Sequence, residues 1–358
     1  MQRLFFTAGP SQLHPSIASS IAAAVAASVP SWSHRGPEFE GLFASVRSGL
    51  KQLLGVPSGY EVLFFSSATE IWERLIQNCV AKTSFHFVNG VFGDRFRWTT
   101  EKTGRQALYV EVPQGSFFDL ERIAVPKEAE LIGITHNESS SGVAWQVPEI
   151  ASVAKKYPDA LIAVDVVSSL PHPDLPYELL DAVYFSVQKG FGLPAGLGVG
   201  IISPRAIAKS RSLEKQGIGT GSYHSFSAML ESAAKNQTVE TPNVLNLFLL
   251  DQVVKTFTRI GLARIRTEID AKATRIYAYF DAHSRYKPSV PDIAHRSPTL
   301  IVVDTYGESK RIVEALAKQG IEISYGYGKR KDDQIRIANF PAHSMQDIDR
   351  LLTAFDSL

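Results

Sequence analysis

Cysteine is almost absent from this chain of 358 residues, since Cys79 is the only one. A lone cysteine excludes an intrachain disulfide and a cysteine-based metal cluster, so we predict a reducing, cytoplasmic location and no metal site. Long apolar runs are also lacking. The apolar start of the sequence breaks within its first ten residues, and no later segment reaches the length of a membrane span, so neither a signal peptide nor a membrane anchor is expected.

An excess of charge of either sign is missing as well. The chain carries 37 lysines and arginines against 36 acidic residues, without a long block of one sign. This balance argues against nucleic acid or an anionic membrane as a partner. The apolar fraction of 44% is that of an ordinary globular protein with a sizeable core. Because a single core rarely grows beyond about 250–300 residues, the length predicts a large domain and a smaller one.

Short β-rich segments alternate with helical patterns over the first two thirds of the chain. Several of these segments are apolar on both faces, which is typical of a parallel sheet covered by helices. The predicted strands are 61–65, 85–88, 107–112, 130–135, 160–165, 182–187 and 198–202, and the predicted helices include 37–54, 69–81, 147–156 and 204–215. The pattern predicts an α/β fold with a mostly parallel seven-stranded sheet between helices.

The pattern changes near residue 244, where two long helical stretches begin. Apolar residues at spacings of three and four predict helices over 244–260 and 262–284. Two strands (299–304 and 334–339) and two helices (308–319 and 344–355) follow. We therefore predict a large domain over 15–243 and a smaller α/β domain over 244–358.

The carboxyl ends of two predicted strands carry a lysine and an aspartate. Ligands of parallel sheets bind beyond these ends. Lys189 follows the strand 182–187 and enters a glycine-rich turn, and Asp165 ends the strand 160–165. A lysine can condense with an aldehyde cofactor, and a buried carboxylate can hold a pyridinium nitrogen. Together they indicate a pyridoxal-phosphate enzyme. Taken alone, Asp165 fits a structural salt bridge or a helix cap equally well.

Other strand ends carry weaker signals. The segment 66–70 could form a phosphate cup at a helix N-terminus, or Ser67 could simply cap that helix. Phe92 could stack on a flat ring or pack against a helix. Ser139 could donate to a ring hydroxyl or belong to an ordinary serine turn. The segment 190–195 matches the dinucleotide spacing G-x-G-x-x-A, but Pro194 interrupts it and a strand follows where a helix is required.

Seven segments of the sequence, in order, resemble the class V aminotransferases of pyridoxal-phosphate fold type I, and within them the phosphoserine aminotransferases. The segments are 6–11, 33–36, 62–64, 188–189, 194–197, 241–242 and 335–339. The resemblance covers nearly the whole chain. It implies a homodimer with shared active sites, and an N-terminal segment (residues 1–14) packing near the smaller domain.

The resemblance also implies residue roles. Lys189 links to the pyridoxal phosphate and shuttles the substrate proton, Asp165 pairs with the ring nitrogen, Phe92 stacks on the ring and Ser139 contacts its hydroxyl. The implied phosphate cradle comprises Ala68, Thr69, Gln188 and, from the neighbouring subunit, Thr241. The implied substrate ligands are Arg336 for the α-carboxylate, and Lys329 with the partner-facing pair His34 and Arg35 for a phosphate. For His34 and Lys329 the residues alone fit a turn histidine and a solvated loop.

The expected reaction moves an amino group from glutamate to 3-phosphohydroxypyruvate. Three features depart from the usual pattern: Glu70 in the phosphate loop, Phe92 in place of tryptophan, and Glu240 before Thr241. Because residues 33–39 also resemble serine–glyoxylate and alanine–glyoxylate aminotransferases, a class V enzyme for unphosphorylated donors is the alternative. A non-catalytic protein that keeps the fold is a further alternative, against which intact Lys189 and Asp165 argue. Cysteine desulfuration is disfavoured, since Cys79 falls within a predicted helix.

Overall fold

A computed structural model describes residues 3–358, so residues 1 and 2 of the predicted N-terminal segment lie outside the described residues. The strands, in chain order, are β1 (Leu4–Phe6), β2 (Glu61–Phe65), β3 (Thr83–Val88), β4 (Gln106–Glu111), β5 (Leu131–Thr135), β6 (Asn137–Glu138), β7 (Val143–Ala144), β8 (Leu161–Asp165), β9 (Ala182–Ser186), β10 (Gly198–Ile202), β11 (Lys287–Pro288), β12 (Leu300–Asp304), β13 (Ile321–Tyr325) and β14 (Gln334–Ala338). The α-helices are α1 (Ile17–Ala26), α2 (Pro37–Leu54), α3 (Ala68–Cys79), α4 (Val91–Lys102), α5 (Val147–Lys156), α6 (Pro204–Lys215), α7 (Phe226–Ala233), α8 (Val244–Ile260), α9 (Leu262–Ala282), α10 (Ser309–Lys318) and α11 (Met345–Asp356).

The larger sheet has seven strands in the order β2-β10-β9-β8-β5-β3-β4. All neighbours pair in parallel except β10, which runs antiparallel to both β2 and β9. Strands β5, β8, β9 and β10 are buried along their whole length, as expected for a sheet covered on both faces. The α/β fold with a mostly parallel seven-stranded sheet is therefore confirmed, and it brings the carboxyl ends of β5, β8 and β9 side by side.

The smaller sheet has five strands in the order β1-β13-β14-β12-β11. Strand β1 pairs in parallel with β13, so the chain's first described strand joins the sheet formed by its last third. Leu4 and Phe6 are buried in the same apolar cluster as the inner faces of α10 and α11. The polypeptide then leaves this sheet and runs back towards the larger one.

The two apolar cores divide within α9 rather than at residue 244. Helix α8 packs on α1 and α2, and its buried leucines belong to the core of the larger sheet. In α9, Ile265 and Ile269 join that core, whereas Ile276 and Phe280 join the core of the smaller sheet. The larger core thus includes apolar residues beyond 244, because helical periodicity marks where a helix starts and not which core its apolar face covers. The domain boundary at 244 stays a prediction.

Most predicted elements agree with the structure to within one or two residues, and the differences have physical causes. Helices α1, α4 and α7 and strands β1 and β13 are among the elements that were not predicted. The α4 segment has little apolar periodicity, and its first turn is held by a side chain from elsewhere in the chain, as described below. Among residues 3–358, no helix combines the length and apolar character needed to cross a bilayer.

Candidate active site

A cavity of about 270 Å³ opens at the carboxyl ends of β5, β8 and β9, below the N-termini of α3 and α4. It is lined by Gly9, Ser67, Ala68, Thr69, Trp72, Phe92, Thr135, Asn137, Ser139, Asp165, Val167, Ser168, Ser186, Gln188, Lys189 and Tyr327. Seven residues predicted from the sequence to bind a cofactor share this one cavity: Ala68, Thr69, Phe92, Ser139, Asp165, Gln188 and Lys189. The rule that ligands bind beyond the carboxyl ends of parallel strands therefore led to the correct region of the sheet.

Lys189 and Asp165 are both buried, at 9% and 4% exposure. Burial raises the pKa of Asp165 to about 6, although the Val167 N–H and the charge of Lys189 oppose that rise. Burial likewise lowers the pKa of Lys189 to about 8, against the attraction of Asp165. Desolvation disfavours each charged form, so the pair holds an amine that is readily deprotonated next to a carboxylate that is readily protonated.

The Asp165 carboxylate is fixed by two donors. Trp72 Nε1 donates to Asp165 Oδ2 at 3.2 Å, and Val167 N donates to Oδ1 at 2.9 Å. Trp72 lies one turn into α3, so this contact joins the helix to the end of β8. Two fixed donors orient the carboxylate in the cavity, and room remains for a further cation or N–H at its oxygens.

The turn that carries Lys189 has no regular structure and is held by the N-terminal segment. Ser11 N donates to Gln188 O at 3.2 Å, and His14 N donates to Gly192 O at 2.8 Å. Just before Ser11 in the chain, Gly9 has φ +137°, and a Cβ at Gly9 would lie 2.6 Å from Lys189 Cε. Only glycine satisfies both the backbone angle and the close approach. The lysine side chain is therefore packed directly beneath the N-terminal segment.

Phe92 stands at the start of α4, with its ring centroid 5.5 Å from Lys189 Nζ. Its position depends on Glu138, which is fully buried. Glu138 Oε2 accepts from Phe92 N (2.9 Å) and Gly93 N (3.0 Å), and Oε1 accepts from Ser140 N (3.0 Å) and Oγ (2.6 Å). A carboxylate at a helix N-terminus satisfies free N–H groups and complements the helix dipole. Glu138 thus caps α4 from outside the helix, which sequence patterns within α4 cannot reveal.

The N-terminus of α3 faces the cavity with its N–H groups partly used. Ser67 Oγ accepts from Glu70 N at 3.2 Å, and Ser186 Oγ accepts from Ala68 N at 2.8 Å. Thr69 N lies between these two and makes no hydrogen bond within the described chain. Ser67 therefore is a cap, one of the two alternatives raised by the sequence, and a free N–H remains beside it for an anion.

Two buried polar atoms on the cavity wall have no partner within residues 3–358: Gln188 Oε1 and Asn137 Oδ1. Buried polar atoms are nearly always bonded, so these orphans favour a polar ligand in the cavity. With the free Thr69 N–H and the Lys189–Asp165 pair, the donors and acceptors suit a small aromatic aldehyde that carries a phosphate and a ring nitrogen. The residues present thus fit pyridoxal phosphate.

Arg336, in β14 of the smaller sheet, contacts two residues that line this cavity, Ser139 and Tyr327. Its Nε donates to Tyr325 O at 2.8 Å and its Nη1 to Ser139 O at 3.3 Å. Burial lowers the pKa of Arg336 to about 10. No carboxylate of residues 3–358 pairs with it. A half-buried guanidinium bonded only to neutral carbonyls is poorly compensated, and an arriving carboxylate would complete its coordination.

Four predicted site residues lie away from the cavity. His34 is half-buried and Arg35 exposed in the loop before α2, where Arg35 Nη1 donates to Gln237 Oε1 at 2.7 Å. Lys329 is exposed in the turn before β14. Thr241 is exposed and lines a separate cavity of about 480 Å³. Within a single chain, these side chains do not complete the site.

The second cavity contains a histidine between two glutamates. His224 is hydrogen-bonded to Glu70 through Nδ1 and to Glu240 Oε2 through Nε2 at 2.9 Å. Burial opposes the charge of His224, but the bonds to Glu240 and Glu70 outweigh it and raise its pKa to about 9. Burial similarly opposes the charge of Glu70, yet His224 and Ser66 lower its pKa to about 2. Glu70 therefore belongs to the ion cluster of the second cavity and does not line the main cavity.

Several cavity residues were missed by sequence reasoning. Thr135, Asn137 and Ser168 follow strand ends, so the strand-end rule could have identified them. Ser186 ends β9, so the same rule could have identified it. Trp72 and Tyr327 had no such signal, because each reaches the cavity through tertiary packing. Glu138 was inside a segment singled out for its hydroxyls, but its capping role depends on the position of α4.

Glu138→Gln should lower the free energy of unfolding by about 1–3 kcal/mol. The new amide would direct a donor at Phe92 N and Gly93 N or at Ser140 N, leaving N–H groups unsatisfied. Urea unfolding measures the loss. Glu149→Gln, at the more exposed N-terminal cap of α5, is the matched control and should cost less. Equal losses in the two variants would contradict the role given to Glu138.

His224→Asn should reduce stability in a pH-dependent way. The folded pKa of about 9 exceeds the ordinary value of about 6.5, so the charged histidine stabilises the fold fully below pH 6.5 and loses that effect as pH rises through 9. The variant should be less stable by about 2 kcal/mol near pH 6, and equal to the parent above pH 9.5. His172→Asn, which removes a surface pair with Asp270, is the control. A deficit that stays constant with pH would refute the assignment.

Comparison with known proteins agrees with this geometry. The sequence profile of the family "Aminotransferase class-V" matches residues 3–331. A phosphoserine aminotransferase of Rhodococcus opacus is 30% identical over 98% of this chain and 94% of its own length. The crystal structure of a phosphoserine aminotransferase, SerC, from Cytophaga hutchinsonii is 44% identical, covers 99% of this chain and 98% of that one, and superposes with a TM-score of 0.97.

More distant structures share the fold. Alanine–glyoxylate aminotransferase from Nostoc sp. superposes with a TM-score of 0.82 at 20% identity, covering 100% of this chain and 95% of that one. At that identity the likeness concerns the fold alone. The resemblance inferred from the sequence motifs is confirmed by the family match, and the chain belongs to the class V aminotransferase family.

Proposed function

We propose that this chain is a pyridoxal-phosphate-dependent phosphoserine aminotransferase, which moves an amino group from glutamate to 3-phosphohydroxypyruvate. One observation carries the proposal: a buried amine and a buried carboxylate share a cavity, and a guanidinium without a carboxylate partner among residues 3–358 bonds to Ser139 O on the wall of that cavity. The names of the relatives from Rhodococcus opacus and Cytophaga hutchinsonii support the same substrate. A cytoplasmic location is inferred with it, since the one cysteine, Cys79, is buried in α3 as a free thiol.

Pyridoxal phosphate, when bound, supplies an aldehyde that takes up the amino group and a ring that withdraws electrons from the substrate's α-carbon. Lys189 would hold the aldehyde carbon and, once displaced by substrate, move the proton at the α-carbon through its Nζ. Its lowered pKa, about 8, keeps part of the amine unprotonated near neutrality. Asp165 would hold the proton of the ring nitrogen, with its carboxylate oriented by Trp72 and Val167.

The rest of the cavity orients the two ligands. Phe92 would lie against the ring, and Ser139 beside its hydroxyl. Thr69 N and Gln188 would hold the phosphate, with Ala68 adjoining them. Arg336 would bind the substrate α-carboxylate in a bidentate pairing, because a planar guanidinium matches a carboxylate in shape.

We also infer a homodimer with shared sites. His34, Arg35 and Thr241 lie outside their own chain's cavity, on exposed or half-exposed loops. A second copy that presents these loops would add the cations expected for the substrate's phosphate, and Lys329 would join them. The dimer also accounts for the position of Thr241 in a cavity of its own.

An unphosphorylated donor such as serine or alanine is the second candidate. The observation that favours it is the loop 66–70, which carries no cation and whose Glu70 bonds to Ser66, Arg74 and His224 instead. A donor whose side chain bears no charge would need no cation in that loop.

Borohydride reduction of the cofactor-loaded protein tests the role of Lys189. Reduction fixes a lysine-linked cofactor as a stable secondary amine, so peptide mass mapping should find the added mass on Lys189 alone. Lys272 is the internal control, since it is also buried, with a pKa lowered by burial to about 8, but bonds to the carbonyls of Phe340 and His343. Modification of Lys272 and not of Lys189 would overturn the assignment.

Single-turnover conversion of the loaded enzyme by different donors tests the substrate. Phosphoserine should convert the bound cofactor to its amine form at least about tenfold faster, as kcat/KM, than serine or alanine, because a charge-assisted contact contributes about 1.5–3 kcal/mol. Absorbance of the bound cofactor follows the conversion. Equal rates for the three donors would favour the second candidate.

A further inference from the structure

Two guanidinium groups flank one aromatic ring at the mouth of the main cavity. Tyr327 lines the cavity and lies 5.4 Å, centroid to centroid, from Phe92. The guanidinium carbon of Arg336 is 5.1 Å from the Tyr327 centroid, and that of Arg95 is 5.4 Å from it. Arg95 also lies 5.7 Å from the Phe92 centroid. The mouth therefore carries a second arginine, which neither the sequence motifs nor the resemblance pointed to.

Arg95 differs from its neighbours on α4 in having no acidic partner within residues 3–358. Arg97, two positions along, donates to Asp94 at 2.7 Å and to Glu101 at 2.6 Å. The nearby Glu138 is saturated by four donors from the α4 and Ser140 backbones and the Ser140 hydroxyl. The charge of Arg95 is thus not neutralised locally, and its side chain is exposed against the two rings.

The ring contacts explain how an exposed arginine is positioned. A guanidinium stacked on aromatic faces loses few hydrogen-bonding directions, because the N–H groups at its edge still point outward. Phe92 and Tyr327 are themselves fixed, Phe92 by the capped start of α4 and Tyr327 by its contact with Arg336. Arg95 is therefore a partly preorganised donor group held against two residues, Phe92 and Tyr327, that line the cavity.

The position of Arg95 complements that of Arg336. Arg336 sits deeper, bonded to the main chain of Ser139 and Tyr325, and suits the α-carboxylate. A substrate with an acidic group at its other end needs a second cation further out. The loop 66–70 supplies none, because it contains no lysine, arginine or histidine. Arg95 provides such a cation from the same subunit.

We propose that Arg95 is a specificity-determining residue that binds the distal acidic group of the substrate, while Arg336 binds the α-carboxylate. The proposal rests on the proposed function and adds a residue to it. Two sources of that acidic group share this chemistry: the phosphate of phosphoserine or its oxo acid, and the side-chain carboxylate of glutamate or its oxo acid. Both are planar or trigonal arrays of oxygens that accept two parallel N–H bonds.

Equilibrium binding of unreactive analogues to the cofactor-loaded enzyme tests the proposal without turnover. Calorimetry would compare 3-phosphoglycerate, glutarate and glycerate on the parent enzyme, Arg95→Met, Arg95→Lys and Lys102→Met. Methionine keeps the apolar stem over the rings, and lysine keeps the positive charge but lacks the planar guanidinium with its parallel N–H donors. Lys102→Met removes a charge from the same helix about two turns further on, where the ammonium lies 5.5 Å from the Trp98 ring.

We expect Arg95→Met to weaken 3-phosphoglycerate about tenfold or more, to leave glycerate within about twofold, and Arg95→Lys to restore part of the loss. Lys102→Met should change none of the three. If glutarate weakens and 3-phosphoglycerate does not, Arg95 serves the side-chain carboxylate, which is the second source. In single-turnover assays with that acidic donor, Arg95→Met should raise KM and leave the limiting rate unchanged, because the contact is remote from the reacting atoms.

Two outcomes would overturn the proposal, and they are distinguishable. If the parent enzyme prefers 3-phosphoglycerate to glycerate but Arg95→Met binds all three analogues as the parent does, Arg95 has no such role and the proposed function stands. If Arg95→Met weakens the binding of all three analogues equally, Arg95 only stabilises α4, and the proposal is rejected as well. If the parent enzyme shows no preference for either acidic analogue over glycerate, the phosphoserine function fails and the role of Arg95 fails with it.

Discussion

Burial of two opposite charges at the edge of a parallel sheet is the constraint on which the site depends. Removing Lys189 and Asp165 from water is costly, and their mutual attraction offsets that cost only in part, as the opposite shifts of their pKa values indicate. A buried ion pair of this kind contributes little to stability. Buried groups with shifted pKa values are, however, typical of functional sites. It exists because β8 and β9 are adjacent and parallel, so that their carboxyl ends deliver an acid and an amine to one cavity.

Two helix N-termini facing that cavity are each fastened by a side chain from another part of the chain. Ser186, at the end of β9, holds the first turn of α3, and Glu138, after β5, holds the first turn of α4. Strand ends therefore position both the charged pair and the helices above it. The consequence is a preorganised site, in which Phe92 and the free Thr69 N–H are placed by the same scaffold as Lys189.

Much of this arrangement could be predicted from local sequence. Alternating and continuous apolar runs located the seven strands of the larger sheet, and the strand-end rule then selected Lys189 and Asp165. Prediction failed where the cause is tertiary. Helix α4 is capped by Glu138 across a distance of 46 residues in sequence, and α8 joins the larger core although its periodicity matches that of the helix after it. Tyr327 and Arg95 lie far apart in the sequence and meet only in the folded chain.

The N-terminal segment connects two parts of the molecule that move independently in many two-domain enzymes. Strand β1 belongs to the smaller sheet, and His343 Nε2 contacts Phe5 O at 3.0 Å. Further along the same segment, Ser11 N and His14 N donate to Gln188 O and Gly192 O, on either side of Lys189. A rotation of the smaller domain would therefore be transmitted through a few residues of backbone to Gly9, directly above the Lys189 side chain. The space above the Lys189 side chain therefore depends on where the smaller domain holds the N-terminal segment.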